Sequence, residues 1–224
     1  MKTHTTSIGV EIAHGLVDRV GAASYVGRWL DAVGLEPEFA SRFPHQFSGG
    51  QRQRIAIARA LAMQPAVLVC DAPVASLDVS IQAQIINLFL KLRRELKLAM
   101  LFISHDLGVV RHVADRTAIM YLGRIIEVGE TQSVYRSPGH PYTRGLLDSI
   151  PKLVLADAES VTFRPIQGEL PSPLSPPAGC HFHPRCPIAV ARCKVDAPEL
   201  REAISASRRV ACHLAPPVTS LSPA

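Results

Sequence analysis

At 224 residues, with 47% hydrophobic and 19% charged residues, the chain has the composition of a globular protein, one domain plus an appendage, which excludes a fibre or a disordered tail. A formal net charge of +5 is spread along the sequence without aromatic-basic alternation or a reader motif, which argues against nucleic acid as a partner. The opening MKTHTTSIG lacks the apolar core of a signal peptide, and no run approaches the roughly 18 apolar residues of a membrane span, so the expected location is the cytoplasm, with any membrane contact peripheral.

In chain order, Ile8 to Val33 reads as helical, with apolar residues at Ile12, Leu16, Val20, Val26, Trp29, Leu30 and Val33 and Gly34 as its C-terminal stop. A second helix is predicted over Gln51 to Met63, closed by Pro65. Ala66 to Cys70 is a short uninterrupted apolar run, the pattern of a parallel strand buried on both faces, and Asp71 sits at its carboxyl end. Residues 80–98 form an amphipathic helix, Ala99 to Ser104 a buried strand, Asp106 to Ala114 a helix, and Thr117 to Tyr121 with Ile125 to Val128 a pair of strands around Gly123-Arg124. This alternation predicts an α/β fold with a parallel sheet. From Lys152 to Ala178 five prolines (165, 171, 173, 176 and 177) predict an extended linker able to lie across a partner without adding to the core. No internal repeat is present.

Ser48-Gly49-Gly50-Gln51, preceded by Phe47 and opening a helix, resembles the signature sequence of ABC-transporter ATPases. In that family the serine hydroxyl and glycine amides bind the γ-phosphate of an ATP held by the P-loop of the opposing subunit. Backbone donors and the helix dipole suit an anion there. Residues 1–47 contain no G-x-x-x-x-G-K-[ST], so the chain is expected to carry one half of a nucleotide site. The resemblance makes Asp71 the Walker B aspartate that holds Mg²⁺ beside the γ-phosphate, against the alternative of a strand-terminal cap. It makes Ser76-Leu77-Asp78 the loop that touches the partner subunit, and His105, one residue beyond a strand, the switch histidine. In one place the chain departs from the family. Ala72 follows Asp71 where the family has a glutamate that polarises the attacking water. A methyl group cannot accept a proton, and losing a positioned general base costs about 10²–10⁴ in rate. The chain alone is therefore expected to be inactive as an ATPase.

Gly139-His140-Pro141-Tyr142-Thr143 with Leu146-Leu147 and Ile150-Pro151, followed by Gly179 to Pro187, Cys193, Pro198 and Ala211-Cys212-His213, narrows the resemblance to the ATP-binding subunits of oligopeptide and dipeptide importers, over roughly residues 35 to 213. It implies a partial P-loop ATPase core over residues 1–151, with a helical subdomain, and a transporter-type C-terminal region over residues 152–224, rich in proline and cysteine. Cys180, Cys186, Cys193 and Cys212 lack a CxxC pair and a secretory context, so disulfides are disfavoured. Four thiolates can satisfy a tetrahedral zinc or a [4Fe–4S] cluster; the resemblance favours the cluster, in a structural role. His181, His183 and His213 could substitute as ligands, although exposed loop histidines are the more ordinary reading, and Cys70 reads as core packing. The family also implies ATP and Mg²⁺, a second ATPase subunit, transmembrane permease subunits, and a peripheral position on the cytoplasmic face of the bacterial inner membrane. The competing expectation is a non-catalytic remnant or interaction module.

Overall fold

The computed structural model describes residues 18, 20–75, 77–150 and 166–218. The chain divides into two compact units, Met1–Val109 and Val110–Ala224. Among the described residues no helix is long and apolar enough to cross a membrane.

In the first unit, α1 (Ala22–Ala32) starts after a turn at Val20-Gly21, so the predicted helix from Ile8 does not run through these residues; Ile12 and Leu16 lie outside the described residues. Gly34 takes a left-handed conformation with φ +73° just past the end of α1, and its N–H bonds the Asp31 carbonyl, a glycine-type stop. Helix α2 (Gly49–Leu61) buries Ile57, Ala58 and Leu61, and α3 (Val79–Leu96) buries Ile85, Ile86, Leu88, Phe89 and Leu92, the spacing of one helical face. Between them lies β1 (Val67–Asp71), and β2 (Ala99–Ile103) pairs with it in parallel, Val67 opposite Ala99 and Asp71 opposite Ile103. The expectation of strands buried on both faces fails: Leu68 and Cys70 are buried on one face of this pair, where Phe102 meets Phe89 of α3 edge to face at 5.8 Å, while Val67, Val69, Leu101 and Ile103 are exposed on the other. Tyr25 and Arg54 tie the helices together: the Tyr25 hydroxyl donates to the Ala62 carbonyl and Arg54 donates to the Val33 carbonyl.

Helix α4 (Leu107–Val113) leads to the second unit, where the expectation of a parallel sheet fails. Among the described residues its sheet has four strands in the order β3-β4-β6-β5, all antiparallel neighbours. Strands β3 (Arg116–Tyr121) and β4 (Arg124–Glu130) form a hairpin through Leu122 and Gly123, both at positive φ (42° and 76°), the two-residue turn that matches strand twist. Helices α5 (Thr131–Arg136) and α6 (Pro141–Asp148) follow, and the tail adds α7 (Ala191–Val195), β5 (Arg201–Ala203) and β6 (Ser205–Val210). The tail thus joins the sheet. Its Phe182 packs with Ile119, Tyr121 and Ile126, and Ala203, Val210 and Ala215 form a second buried cluster. The proline-rich linker contributes too: Ile166 fills the space that a side chain at Gly145 would occupy, only 2.7 Å from where its Cβ would stand.

Candidate functional site

Ser48 caps α2. Its hydroxyl accepts the Gln51 N–H at 3.3 Å, and the Gln51 side-chain oxygen accepts the Ser48 N–H at 3.0 Å, a reciprocal capping box. The hydroxyl still has its own proton to donate, and the amides of Gly49 and Gly50 stand in the first turn, where N–H groups have no partner within the helix. Of the two glycines only Gly50 is a packing requirement. A Cβ on Gly50 would lie 2.7 Å from Ile81 Cγ2 of α3, and one on Gly49 would touch Leu77 at 3.7 Å. The helix N-terminus is thereby seated on the start of α3. Asp78 is the N-cap residue of α3, with no side-chain cap bond; Ser76 lies outside the described residues.

Because β1 and β2 are parallel and in register, their carboxyl ends coincide. Asp71, exposed, ends β1; Ser104 and exposed His105 follow β2 at the same end. Ala72 takes φ +44°, and its N–H bonds the Ile103 carbonyl at 3.0 Å, which locks the turn after Asp71 to β2. His105 sits on a turn pinned on the residue after it. The Asp106 carboxylate accepts the Val109 N–H at 3.0 Å and the Gln82 side-chain amide at 3.3 Å, while the Asp106 N–H donates to the Ser104 hydroxyl at 3.0 Å. An apolar strand pair therefore presents a carboxylate and an imidazole at one end.

The tail gathers its four cysteines. Cys180, Cys186, Cys193 and Cys212 line one cavity of about 10 Å³ together with His140, His183 and His213. The Cys180 N–H bonds the Cys193 carbonyl at 2.9 Å, and the His183 N–H bonds the Cys180 carbonyl at 2.9 Å. Gly179, at φ +66°, is needed for that approach, since a Cβ there would fall 2.5 Å from the Cys193 carbonyl oxygen. Burial raises the Cys180 and Cys186 thiols above their ordinary range, and the neighbouring thiols add to the rise. Among the described residues no group of three or more His, Cys, Asp or Glu side chains is arranged to hold a metal ion. His213 is engaged elsewhere, with its Nε2 2.9 Å from the Asp196 carbonyl oxygen. Cys70 lies in the core, and burial lifts its thiol to about 11, as an inert packing cysteine requires.

Residues 10–75 match the ABC transporter family, and residues 126–193 match the family described as oligopeptide/dipeptide transporter, C-terminal region. The Di/tripeptide transport ATP-binding protein DppF of Pseudomonas aeruginosa is 54% identical over 188 residues, which are 84% of this chain and 57% of that protein. The chain belongs to the ATP-binding proteins of oligopeptide/dipeptide ABC transporters. Among other members of this ABC ATPase family, the Oligopeptide transport ATP-binding protein AppF of Bacillus subtilis is 53% identical over 83% of the chain and 56% of its own length. OppF of Escherichia coli is 48% identical over 84% and 56%. The chain spans a little over half the length of these curated relatives. Its fold is similar to that of CbiO1 of Clostridium perfringens, part of the ABC transporter complex CbiONQ, with a TM-score of 0.50 at 30% identity over 54% of this chain and 48% of that one.

In this ABC ATPase chain, the residues that hold the site in shape were less legible than those at its centre. Gln82 and Asp106 fix the turn that carries His105, yet each reads as an ordinary polar residue on a helix or at its start. The second unit depends on a buried ion pair, Glu127 with Arg208, fully enclosed, in which Arg208 Nε and Nη2 both donate to Glu127 Oε1. The same carboxylate accepts the Gly139 and His140 N–H groups at 2.8 and 3.0 Å. A charged residue inside a predicted strand was the available signal, and it gave no partner.

Proposed function

We propose that this chain is part of an ATP-binding subunit of a peptide importer, in which the first turn of α2 closes on the γ-phosphate of an ATP held by the P-loop of another subunit. Ser48 donates its hydroxyl and Gly49 and Gly50 their amides, with Gln51 holding the serine in place and Leu77 and Asp78 facing that partner. Asp71 and His105 serve this chain's own nucleotide position, Asp71 through Mg²⁺ and His105 as a donor to the γ-phosphate. Closure of the two subunits drives the permease subunits at the cytoplasmic face of the membrane. The observation that carries the reading is the coincidence of Asp71 and His105 at one end of a parallel pair, in the same unit as a capped, glycine-led helix start. Ala72 leaves the position next to Asp71 without a proton acceptor, and no Gly-Lys pair occurs in the 224 residues. The purified chain is expected to release no phosphate above background at saturating Mg-ATP. Turnover at rates ordinary for transport ATPases, lost on Asp71→Asn, is the opposing result.

The finer reading of the tail is a structural [4Fe–4S] cluster on Cys180, Cys186, Cys193 and Cys212. Four thiols lining one cavity supply the donors such a cluster takes, but at about 10 Å³ that cavity holds no more than one water, so a cluster fits only with the four thiols drawn apart. A single zinc ion, which needs its sulfurs about 3.8 Å apart, from a bond near 2.3 Å in a tetrahedron, is the alternative occupant of the same four thiols, and the lack of an ion-holding group among the described residues bears on both alike. When bound, the cluster would supply cross-linking of the tail. Anaerobically purified protein is expected to contain iron and sulfide in equal amounts, with a broad visible absorbance that disappears in Cys186→Ser. Stoichiometric zinc without iron overturns the cluster and leaves a four-thiol site.

A further inference from the structure

The second unit holds a cavity that neither the nucleotide reading nor the thiol site uses. It encloses about 480 Å³ between the β3–β4 hairpin and the tail, a size within the range of small-ligand sites. Ile126 and Phe182, both buried, form its apolar floor, and Met120, Ile125, Pro198 and Leu200 stand around them. Met120 and Ile125 are 60% and 43% exposed, so the rim is apolar and wet. Apart from the Cys180 thiol, the polar side chains in the lining are Arg124 and His181. Arg124, at the end of the hairpin turn, is exposed and has no hydrogen bond or ion pair among the described residues. The Nδ1 of His181 is buried without a hydrogen-bond partner. Buried polar atoms are nearly always bonded, so this one lacks a group that a ligand can supply.

Charge specifies the occupant. Among the described residues no aspartate or glutamate lines this cavity. Glu199, between Pro198 and Leu200, lines a neighbouring cavity instead, where Arg192 pairs with Asp196 at 3.1 Å. The guanidinium of Arg124 is therefore left without a counter-charge beside an apolar surface, and its planar donors match a carboxylate. A zwitterion would bring an ammonium that no acid in the lining meets, at a desolvation cost. We propose that this cavity binds a small monocarboxylate with an apolar body, of the size of a medium-chain fatty acid. The carboxylate lies on Arg124 and His181, and the body lies against Ile126, Phe182 and Leu200. In the tautomer with its proton on Nδ1, His181 donates to the carboxylate. Cys180 and Phe182 line this cavity and the thiol cavity alike, so the bound acid rests on a wall shared with the thiols. The second unit alone forms the site, which stands whatever the first unit binds.

The test is calorimetric titration of octanoate into the purified chain, repeated with octan-1-ol and with leucyl-leucine. Octanoate is expected to bind saturably, at one site per chain, and to shift the methyl NMR signal of Met120. Arg124→Gln is expected to weaken that binding by about tenfold or more, the scale of a lost charge-assisted hydrogen bond. His181→Phe, which keeps a ring against the wall and removes both nitrogens, weakens it as well. Arg209→Gln removes an exposed cation of β6 that lines none of these cavities, and it leaves the affinity unchanged. Octan-1-ol and leucyl-leucine are each expected to bind about tenfold more weakly than octanoate, or less. Arg124 is exposed, so Arg124→Gln should keep the wild-type circular dichroism and carries the test alone if His181→Phe does not fold. Absence of saturable octanoate binding overturns the proposal, and so does an affinity that Arg124→Gln leaves unchanged. Octan-1-ol binding as tightly as octanoate overturns the anion requirement. Equal binding of leucyl-leucine does the same for the monocarboxylate, because the occupant is then a zwitterionic peptide. Binding that leaves the Met120 signal in place puts the acid elsewhere and overturns the site.

Discussion

Gly179 and Gly123 both sit at positive φ, +66° and +76°, but only one of them is crowded. At Gly123 nothing lies within 4 Å of an added Cβ, so Gly123→Ala should cost about 1 kcal/mol, the ordinary penalty of a left-handed alanine. At Gly179 the Cβ would lie 2.5 Å from the Cys193 carbonyl oxygen and 2.8 Å from the Lys194 carbonyl carbon. These are backbone atoms of the chain that carries the second half of the thiol cavity, and they cannot turn aside. Gly179→Ala should therefore lower the denaturant midpoint clearly more than Gly123→Ala and separate Cys180 from Cys193. Equal losses in the two variants would show that the approach seen here is not needed. The same distinction between a residue's type and its surroundings explains why Ser48 and Asp71 were readable from the sequence and Gln82 was not. Ser48 announces itself through the glycines and glutamine after it, whereas the task of Gln82 is set by Asp106, 24 positions away.

At the scale of elements, α2 and α3 follow from local pattern, since their buried faces repeat with helical spacing and their ends carry Gly49 and Pro65; β1 and β2 were legible as strands from their apolar runs, but the exposure of one of their faces was not. The sheet of the second unit does not. Strand β6 reads Ser-Ala-Ser-Arg-Arg-Val, a solvent-facing pattern, and it enters the sheet because Arg208 meets Glu127 of β4, 81 residues earlier. No local periodicity encodes that pairing. Removing one partner of such a pair leaves a buried charge uncompensated, at a cost of about 3–5 kcal/mol. The loop held by Glu127 leads into α6, where His140 is the N-cap and its Nδ1 accepts the Tyr142 N–H at 3.1 Å. Burial lowers the His140 imidazole from 6.5 to about 4, with the Glu127 carboxylate pulling the other way. The folded form thus keeps His140 neutral, while the unfolded chain protonates it near pH 6.5. Stability from this group is complete above about pH 6.5 and is lost as pH falls toward 4, on the order of 3 kcal/mol in all. Urea midpoints between pH 7 and pH 4 should fall for the wild type and fall less for His140→Asn, which keeps an acceptor for the cap. Identical slopes would assign the acid sensitivity to other groups.

For the whole molecule, the two units divide the chemistry. The first holds the capped start of α2 and the paired ends of β1 and β2, and the second holds the hairpin, the thiol cavity and the tail strands. The expected fold class was legible because the first unit's strands and helices alternate along the chain. The tail was legible as a family feature and illegible as a structure, since its cysteines and prolines say nothing of the two strands it adds to the sheet. The central claim is that Ser48 and its glycines act on a nucleotide bound elsewhere. It is tested most directly by sedimentation of the chain with a P-loop-bearing subunit of the same family, with and without Mg-ATP, for wild type and Ser48→Arg. The account predicts association that requires nucleotide and is lost in Ser48→Arg, with the circular dichroism of the variant unchanged. Nucleotide-dependent association that survives the substitution at full strength would contradict it.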